Sequence, residues 1–244
     1  MRLLIPVILV LTFAGFAGST EAADTSYLYK ASFIQAAPGK ILDLIELYKS
    51  RQAAYKTIGD EAPMWCRHSQ GDKWDLLMLF PMGDYVDYYQ SARSSRRHAA
   101  ESAQFLEKLK EYIAWQEDIF VHGPPLDETR RAFGRAGFFH LEIFQALPGK
   151  HSELLKEREM ENGYQKLLKR PENLIFVRDQ GAGWDIFTIG MYRDIKHYAE
   201  SADFTEKDQE AAAKASGFGA ANKIGPYLRT LISAHHDTLA IAIK

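Results

Sequence analysis

The sequence predicts an α+β protein built from two tandem copies of one β-α-β-β-α-β unit, packed sheet to sheet as an internal pseudo-dimer. Three observations predict it. Residues 34–40, IQAAPGK, return as FQALPGK at 144–150, an offset of 110. The same offset then holds without a gap: Gln70-Gly71 matches Gln180-Gly181, Trp74-Asp75 matches Trp184-Asp185, Asp84 matches Asp194, and Tyr88 matches Tyr198. A constant spacing over some sixty residues marks a tandem duplication. Within each copy, the hydrophobic period switches between two and about 3.6 in one repeated order.

The first 22 residues stand apart. Arg2 precedes an apolar run over 3–16, and Ala17-Gly18-Ser19-Thr20-Glu21-Ala22 offers a cleavage site after Ala22. This is the layout of a secretory signal peptide, and the run is shorter than the ~20 residues of a full span. The expectation is an exported protein, periplasmic or extracellular, with no membrane partner after cleavage.

Repeat 1 is assigned to 23–122. Residues 27–35 alternate like a strand, Pro38-Gly39 turns the chain, and Ile41, Leu44, Ile45 and Tyr48 mark the apolar face of a helix. Residues 64–69 and 74–80 are two β-rich runs joined by QGDK, a hairpin signal. A helical region over 85–118 carries Phe105, Leu109, Tyr112 and Ile113 on one side, and 119–122 reads as a last short strand. Residues 123–136, with a double proline and many charges, read as a linker. Repeat 2, over 137–244, repeats the plan: strand 138–146, helix 149–169, strands 173–180 and 184–190, a helical region 193–224 and a strand from about Leu228.

Composition narrows the function classes. With 244 residues, 46% hydrophobic and a formal charge of −2, the chain is globular and lacks the basic field that nucleic acid requires. Cys66 is the only cysteine, so no internal disulfide forms; it reads as a buried strand residue. There is no Gly-x-Ser-x-Gly, Walker loop, Cys-x-x-Cys or His-Glu-x-x-His.

A unit of this order is ferredoxin-like, with both helices on one sheet face and the other face left to be covered. The duplicated unit, with its PGK helix start and a Trp-led third strand, resembles the dimeric α+β-barrel superfamily. That group includes NIPSNAP-like, EthD-like and antibiotic-monooxygenase-like proteins, and the resemblance spans 26–240. It implies facing sheets around a central cavity, often a small-molecule site. The superfamily holds cofactor-free oxygenases, isomerases and haem enzymes, so the fold leaves the activity open.

Alternation places candidate residues. Phe139, Leu141 and Ile143 are expected to face the helices, and His140 and Glu142 to face the cavity between the sheets. Subtracting 110 puts Lys30 and Ser32 at the matching positions. On the last strand, His235 and Asp237 share one face, and a register setting His235 opposite His140 gathers His140, Glu142, His235 and Asp237 into one cluster. Such a set suits zinc or iron, or a general base near neutral pH. His68 and Arg178 occupy equivalent strand positions at the cavity rim, and Trp74 and Trp184 form core or an aromatic wall. The expected function is small-molecule binding between the repeats, of oxygenase or isomerase type, with Lys30 or Arg178 stabilising an anion. The alternative is a non-catalytic module whose polar cluster fixes the packing of the repeats. The protein would work as a monomeric pseudo-dimer or as a homodimer.

Overall fold

A computed structural model describes residues 26–243; the signal-peptide reading of 1–22 lies outside them. Repeat 1 comprises β1 (Tyr27–Ala36), α1 (Ile41–Ser50), α2 (Gln52–Ile58), β2 (Met64–Gln70), β3 (Leu76–Gly83), α3 (Tyr85–Tyr88), α4 (Ser91–Ala100), α5 (Ala103–Tyr112) and β4 (Ile113–Gly123). After α6 (Leu126–Arg135), repeat 2 comprises β5 (Phe138–Ala146), α7 (His151–Leu167), β6 (Leu174–Gln180), β7 (Ile186–Tyr192), α8 (Ile195–Ala199), α9 (Glu206–Ala215), α10 (Ile224–Arg229) and β8 (Ile232–Ala242). Asp84 and Asp194 sit at the same N-cap in the two copies and accept from the Asp87 and His197 amides at 2.8 and 2.9 Å.

The strands close into one antiparallel barrel in the order β1-β3-β2-β8-β5-β7-β6-β4. Each repeat gives one four-stranded sheet, and the two join where β2 pairs with β8 and β4 with β6. Closure leaves the described strands without a free sheet edge. The barrel is filled by Tyr29, Ala31, Phe33, Cys66, Leu77, Phe139, Leu141, Ile143, Phe176 and Phe187 among others. Phe33 meets Phe187 edge-on at 6.0 Å and Tyr29 meets Phe176 at 5.6 Å, so aromatic contacts join the repeats through the centre. Cys66 is fully buried there, and burial pushes its thiol up to about 12.

This corrects the facing of the strands. Phe139, Leu141 and Ile143 point into the barrel, whereas His140, Glu142, Lys30 and Ser32 stand on the outer, helix-covered face. A dry aromatic core cannot hydrate charges, but the rim of a helix layer can. The register is also shifted by four residues: His235 lies opposite Phe144, Asp237 opposite Glu142, and His140 opposite Leu239. An even shift keeps each side chain on its predicted neighbour's face. Thus the four residues still gather, outside the barrel.

Two segments differ from the sequence reading. Leu228 ends in α10 rather than a strand, and the helical region of repeat 1 stops at Tyr112, where β4 begins. The supposed linker is ordered as α6, with Asp127 and Glu128 in its first turn. Its Leu126, Ala132 and Phe133 pack on the barrel core, and the Tyr29 hydroxyl donates to Pro124 O at 2.7 Å and lies 3.0 Å from Thr129 Oγ1. One end of the barrel is therefore plugged.

Candidate functional site

The other end opens into a cavity of about 250 Å³ between the repeats. Trp74, Trp184, Trp115, Phe33 and Ile143 form its walls, with Lys73, Glu117 and His236 among the polar residues. Trp184 donates to Glu117 at 3.4 Å, and His236 faces Asp72 at 3.3 Å. His236 thus belongs to the barrel mouth. His68 lies edge-on to Trp74 at 5.7 Å, so it supports that wall. Each Trp is followed by an aspartate that ties two strands together: Asp75 accepts from Ala36 N, and Asp185 from Ala146 N, both at 2.8 Å. Asp185 also holds Arg178 at 2.5 Å and His151 at 3.1 Å, which commits Arg178 to this clamp.

The outer face of repeat 1 carries a second cavity of about 210 Å³ beneath its helices. Lys30 and Ser32 of β1 and Gln116 of β4 form the floor, and Tyr48, Arg51, Tyr55, Tyr88, Arg97 and Phe105 the walls. Ser32 donates to Asp118 at 2.5 Å, while Lys30 stands 3.4 Å from Asp118 and 4.7 Å above the Phe80 ring. Arg51 lies over Phe105 at 4.3 Å and Arg97 over Tyr88 at 3.9 Å, so guanidinium and aromatic planes alternate. Burial pushes the Tyr55 hydroxyl up to about 12 and raises Tyr88. Both stay neutral and can donate.

Repeat 2 fills the same place with ions. The 110 offset puts Arg158 at the position of Tyr48, Glu161 at Arg51, His140 at Lys30 and Glu142 at Ser32. Arg158, only 2% exposed, lies 2.5 Å from Glu157, 2.6 Å from Glu161 and 3.7 Å from Glu142. Glu142 Oε2 accepts from Thr188 at 3.1 Å. His140 Nε2 meets Asp237 Oδ1 at 3.1 Å, and His235 lies 3.5 Å from Glu142 Oε1 and 3.6 Å from Asp237 Oδ2. The His235 ring stacks on Phe144 at 4.8 Å.

The electrostatics of this cluster follow from burial and pairing. Burial pushes Glu161 up to about 7 despite Arg158 beside it, and burial also raises Glu157. Burial acts upward on Glu142 too, but His235 and Arg158 outweigh it and hold the carboxyl below its usual range. Asp237 is lowered, first by its bond to His140. Burial alone would lower His140, yet Asp237 and Glu142 leave it raised. Sequence reasoning found His140, Glu142, His235 and Asp237 but missed Glu157, Arg158 and Glu161. Their signal was present: polar residues on a helix face whose repeat 1 counterparts include Tyr48.

The outer position also removes one expected role. The cluster ties α7 to its own sheet, rather than setting how the repeats pack on each other.

Comparison with known proteins agrees with the architecture. A crystal structure described as an anthrone oxidase-like protein superposes with a TM-score of 0.55 at 14% identity, covering 91% of this chain and 93% of that one. The chain has the dimeric α+β-barrel fold. A proposed monooxygenase from Fusobacterium nucleatum matches at TM-score 0.53 and 12% identity, over 91% of this chain and 94% of that one. Another from Lactobacillus acidophilus matches at 0.51 and 7%, over 88% and 93%. Neither a protein-family model nor a curated protein matches the chain. At these identities the likeness is one of fold.

Proposed function

We propose that the protein binds a planar aromatic molecule carrying an acidic group, in the cavity on the outer face of repeat 1, and acts on it as an oxygenase. The observation that carries this reading is the contrast between the copies: one place in the fold is an open aromatic cavity in repeat 1, where Lys30, Arg51 and Arg97 outnumber Asp60 and Glu101, and a closed ion cluster in repeat 2. Aromatic walls take a ring, while Lys30 and Arg51 neutralise a phenolate, enolate or carboxylate. An ionised phenol or enol is also the form that gives electrons to dioxygen, and cations at its oxygen stabilise the charge that develops. The named oxidase and monooxygenases of this fold support the reaction class. The apolar run at 3–16 and the small residues before Ala22 support export of the mature chain.

The test uses 2-naphthoate as probe and neutral naphthalene as control. The expected result is one naphthoate per chain, with Lys30→Met and Arg51→Met each weakening it by about tenfold. Affinity in both variants equal to that of the unaltered chain would overturn the site. Oxygen uptake with 1,3-dihydroxynaphthalene, lost in Lys30→Met, tests the chemistry; naphthoate binding without any uptake removes the oxygenase reading and leaves a binding protein. N-terminal sequencing of the secreted or periplasmic chain should begin after Ala22.

A further inference from the structure

We infer that the cluster on the outer face of repeat 2 is a binding site for one divalent transition-metal ion, held by Glu142, His235 and Asp237. Each of the three can offer one donor atom, and the donors all lie within 4.8 Å of one another. Glu142 and Asp237 are directly opposite across the β5–β8 pairing, and His235 is two residues from Asp237 on the same face. Three donors on two hydrogen-bonded strands form a rigid base, as a metal site requires.

The remaining bonds leave the right atoms free. Glu142 Oε2 is used by Thr188 and lies toward Arg158, so Oε1 faces His235. Asp237 Oδ1 is used by His140, so Oδ2 faces His235 at its Nδ1, while Glu142 Oε1 stands at Nε2, and the two carboxylates bracket the ring. His140 therefore orients a ligand carboxylate, the usual part of a residue just outside a metal's coordination shell.

A separate observation points to a ligand. The His235 side chain is only 9% exposed, yet its buried Nε2 makes no well-formed hydrogen bond, with Glu142 Oε1 standing 3.5 Å away. A buried imidazole nitrogen in that state is costly unless something binds it. Its ring is fixed by stacking on Phe144, so it does not turn to find another partner. Charge agrees: Glu142 and Asp237 set two carboxylates beside one imidazole, and a dication offsets them. Imidazole with carboxylates selects zinc, iron(II) or manganese over magnesium or calcium. Asp237 is 56% exposed at its side chain, which gives an ion access from solvent and room for water.

This proposal does not depend on the repeat 1 cavity. Tag-free protein is titrated with Zn²⁺ by calorimetry and with Co²⁺ by its visible absorption. The expected result is one ion per chain, with Asp237→Asn, at an exposed position, and His235→Gln each weakening it at least about tenfold. His140→Ala should weaken it by a similar factor, and His236→Gln, at the barrel mouth, should leave it unchanged. Thermal melts of the metal-free variants confirm that they fold. No stoichiometric binding, or affinity in Asp237→Asn and His235→Gln equal to that of the unaltered chain, overturns the site.

Discussion

Repeats 1 and 2 share a backbone plan, an offset of 110 and the same capping aspartates, yet they fill one position in opposite ways. Beneath its helices repeat 1 has Tyr48, Arg51, Lys30 and Ser32 around an open cavity; in repeat 2 Arg158 pairs with Glu161 and Glu142, and His140 with Asp237. Duplication lets two copies of a site diverge while the barrel they jointly close keeps both folded. Inside the barrel, where each copy supplies half of one core, the copies stay apolar and matched, with Phe33 against Phe187 and Tyr29 against Phe176. Where each copy covers only itself, it was free to change.

The contrast can be broken most severely at Arg158. Arg158→Met strands Glu157, Glu161 and Glu142 without their cation and should cost about 3–5 kcal/mol. In a chain of this size that lowers the melting temperature on the order of 10 °C. Tyr48→Phe, at the matching place in repeat 1, should cost under about 1 kcal/mol, since it removes only a hydroxyl at a cavity wall. Equal losses at the two positions would contradict the difference drawn between them.

A smaller effect should appear with pH. A carboxyl whose folded pKa is raised binds more protons when folded, so its protonation favours the fold at low pH and that advantage fades as pH rises. Glu161, pushed up by burial to about 7, therefore loses stability between its ordinary 4.5 and about 7. His140, raised by Asp237 and Glu142 despite burial, acts the same way: its contribution is full below its ordinary 6.5 and is lost above. Glu142 and Asp237, both lowered, act the opposite way, with stability present above the usual carboxylate range and lost as pH falls below it. Thermal melts should thus show stability falling from about pH 5.5 to about pH 8. Glu161→Gln should flatten that slope; an unchanged slope would remove Glu161 as its source.

The smallest expected effect lies just after α2 in repeat 1 and after α7 in repeat 2. Gly59 has φ +80°, and its counterpart Lys169 adopts φ +58°, a left-handed conformation that glycine tolerates better. Lys169→Gly should stabilise by up to about 1 kcal/mol in chemical denaturation. A loss instead would show that repeat 2 has adapted to its lysine.

Much of this was legible in the sequence. The offset gave the duplication, the element order gave the fold, and even-numbered spacing gathered His140, Glu142, His235 and Asp237 correctly. The side they occupy was not legible, because both faces of β5 carry large apolar residues: Phe139, Leu141 and Ile143 on one, Phe138 and Phe144 on the other. Alternation separates two such faces without saying which is enclosed. Helix α6 was hidden by Pro124-Pro125, which read as chain breakers, although Pro125 stands at its N-cap and Leu126, Thr129 and Phe133 have helical spacing. The repeat 1 cavity was half legible: Lys30 was singled out, but Arg51, Tyr55 and Arg97 reach it from helices whose placement no local pattern fixes.

The central claim is that the open outer face of repeat 1, rather than the Trp-lined mouth between the repeats, is the ligand site. Calorimetric titration of 2-naphthoate into Lys30→Met and Trp115→Ala, side by side with the unaltered chain, tests it most directly. The account predicts about tenfold weaker binding in Lys30→Met and unchanged binding in Trp115→Ala. Affinity lost in Trp115→Ala and kept in Lys30→Met would contradict it and move the site to the barrel mouth.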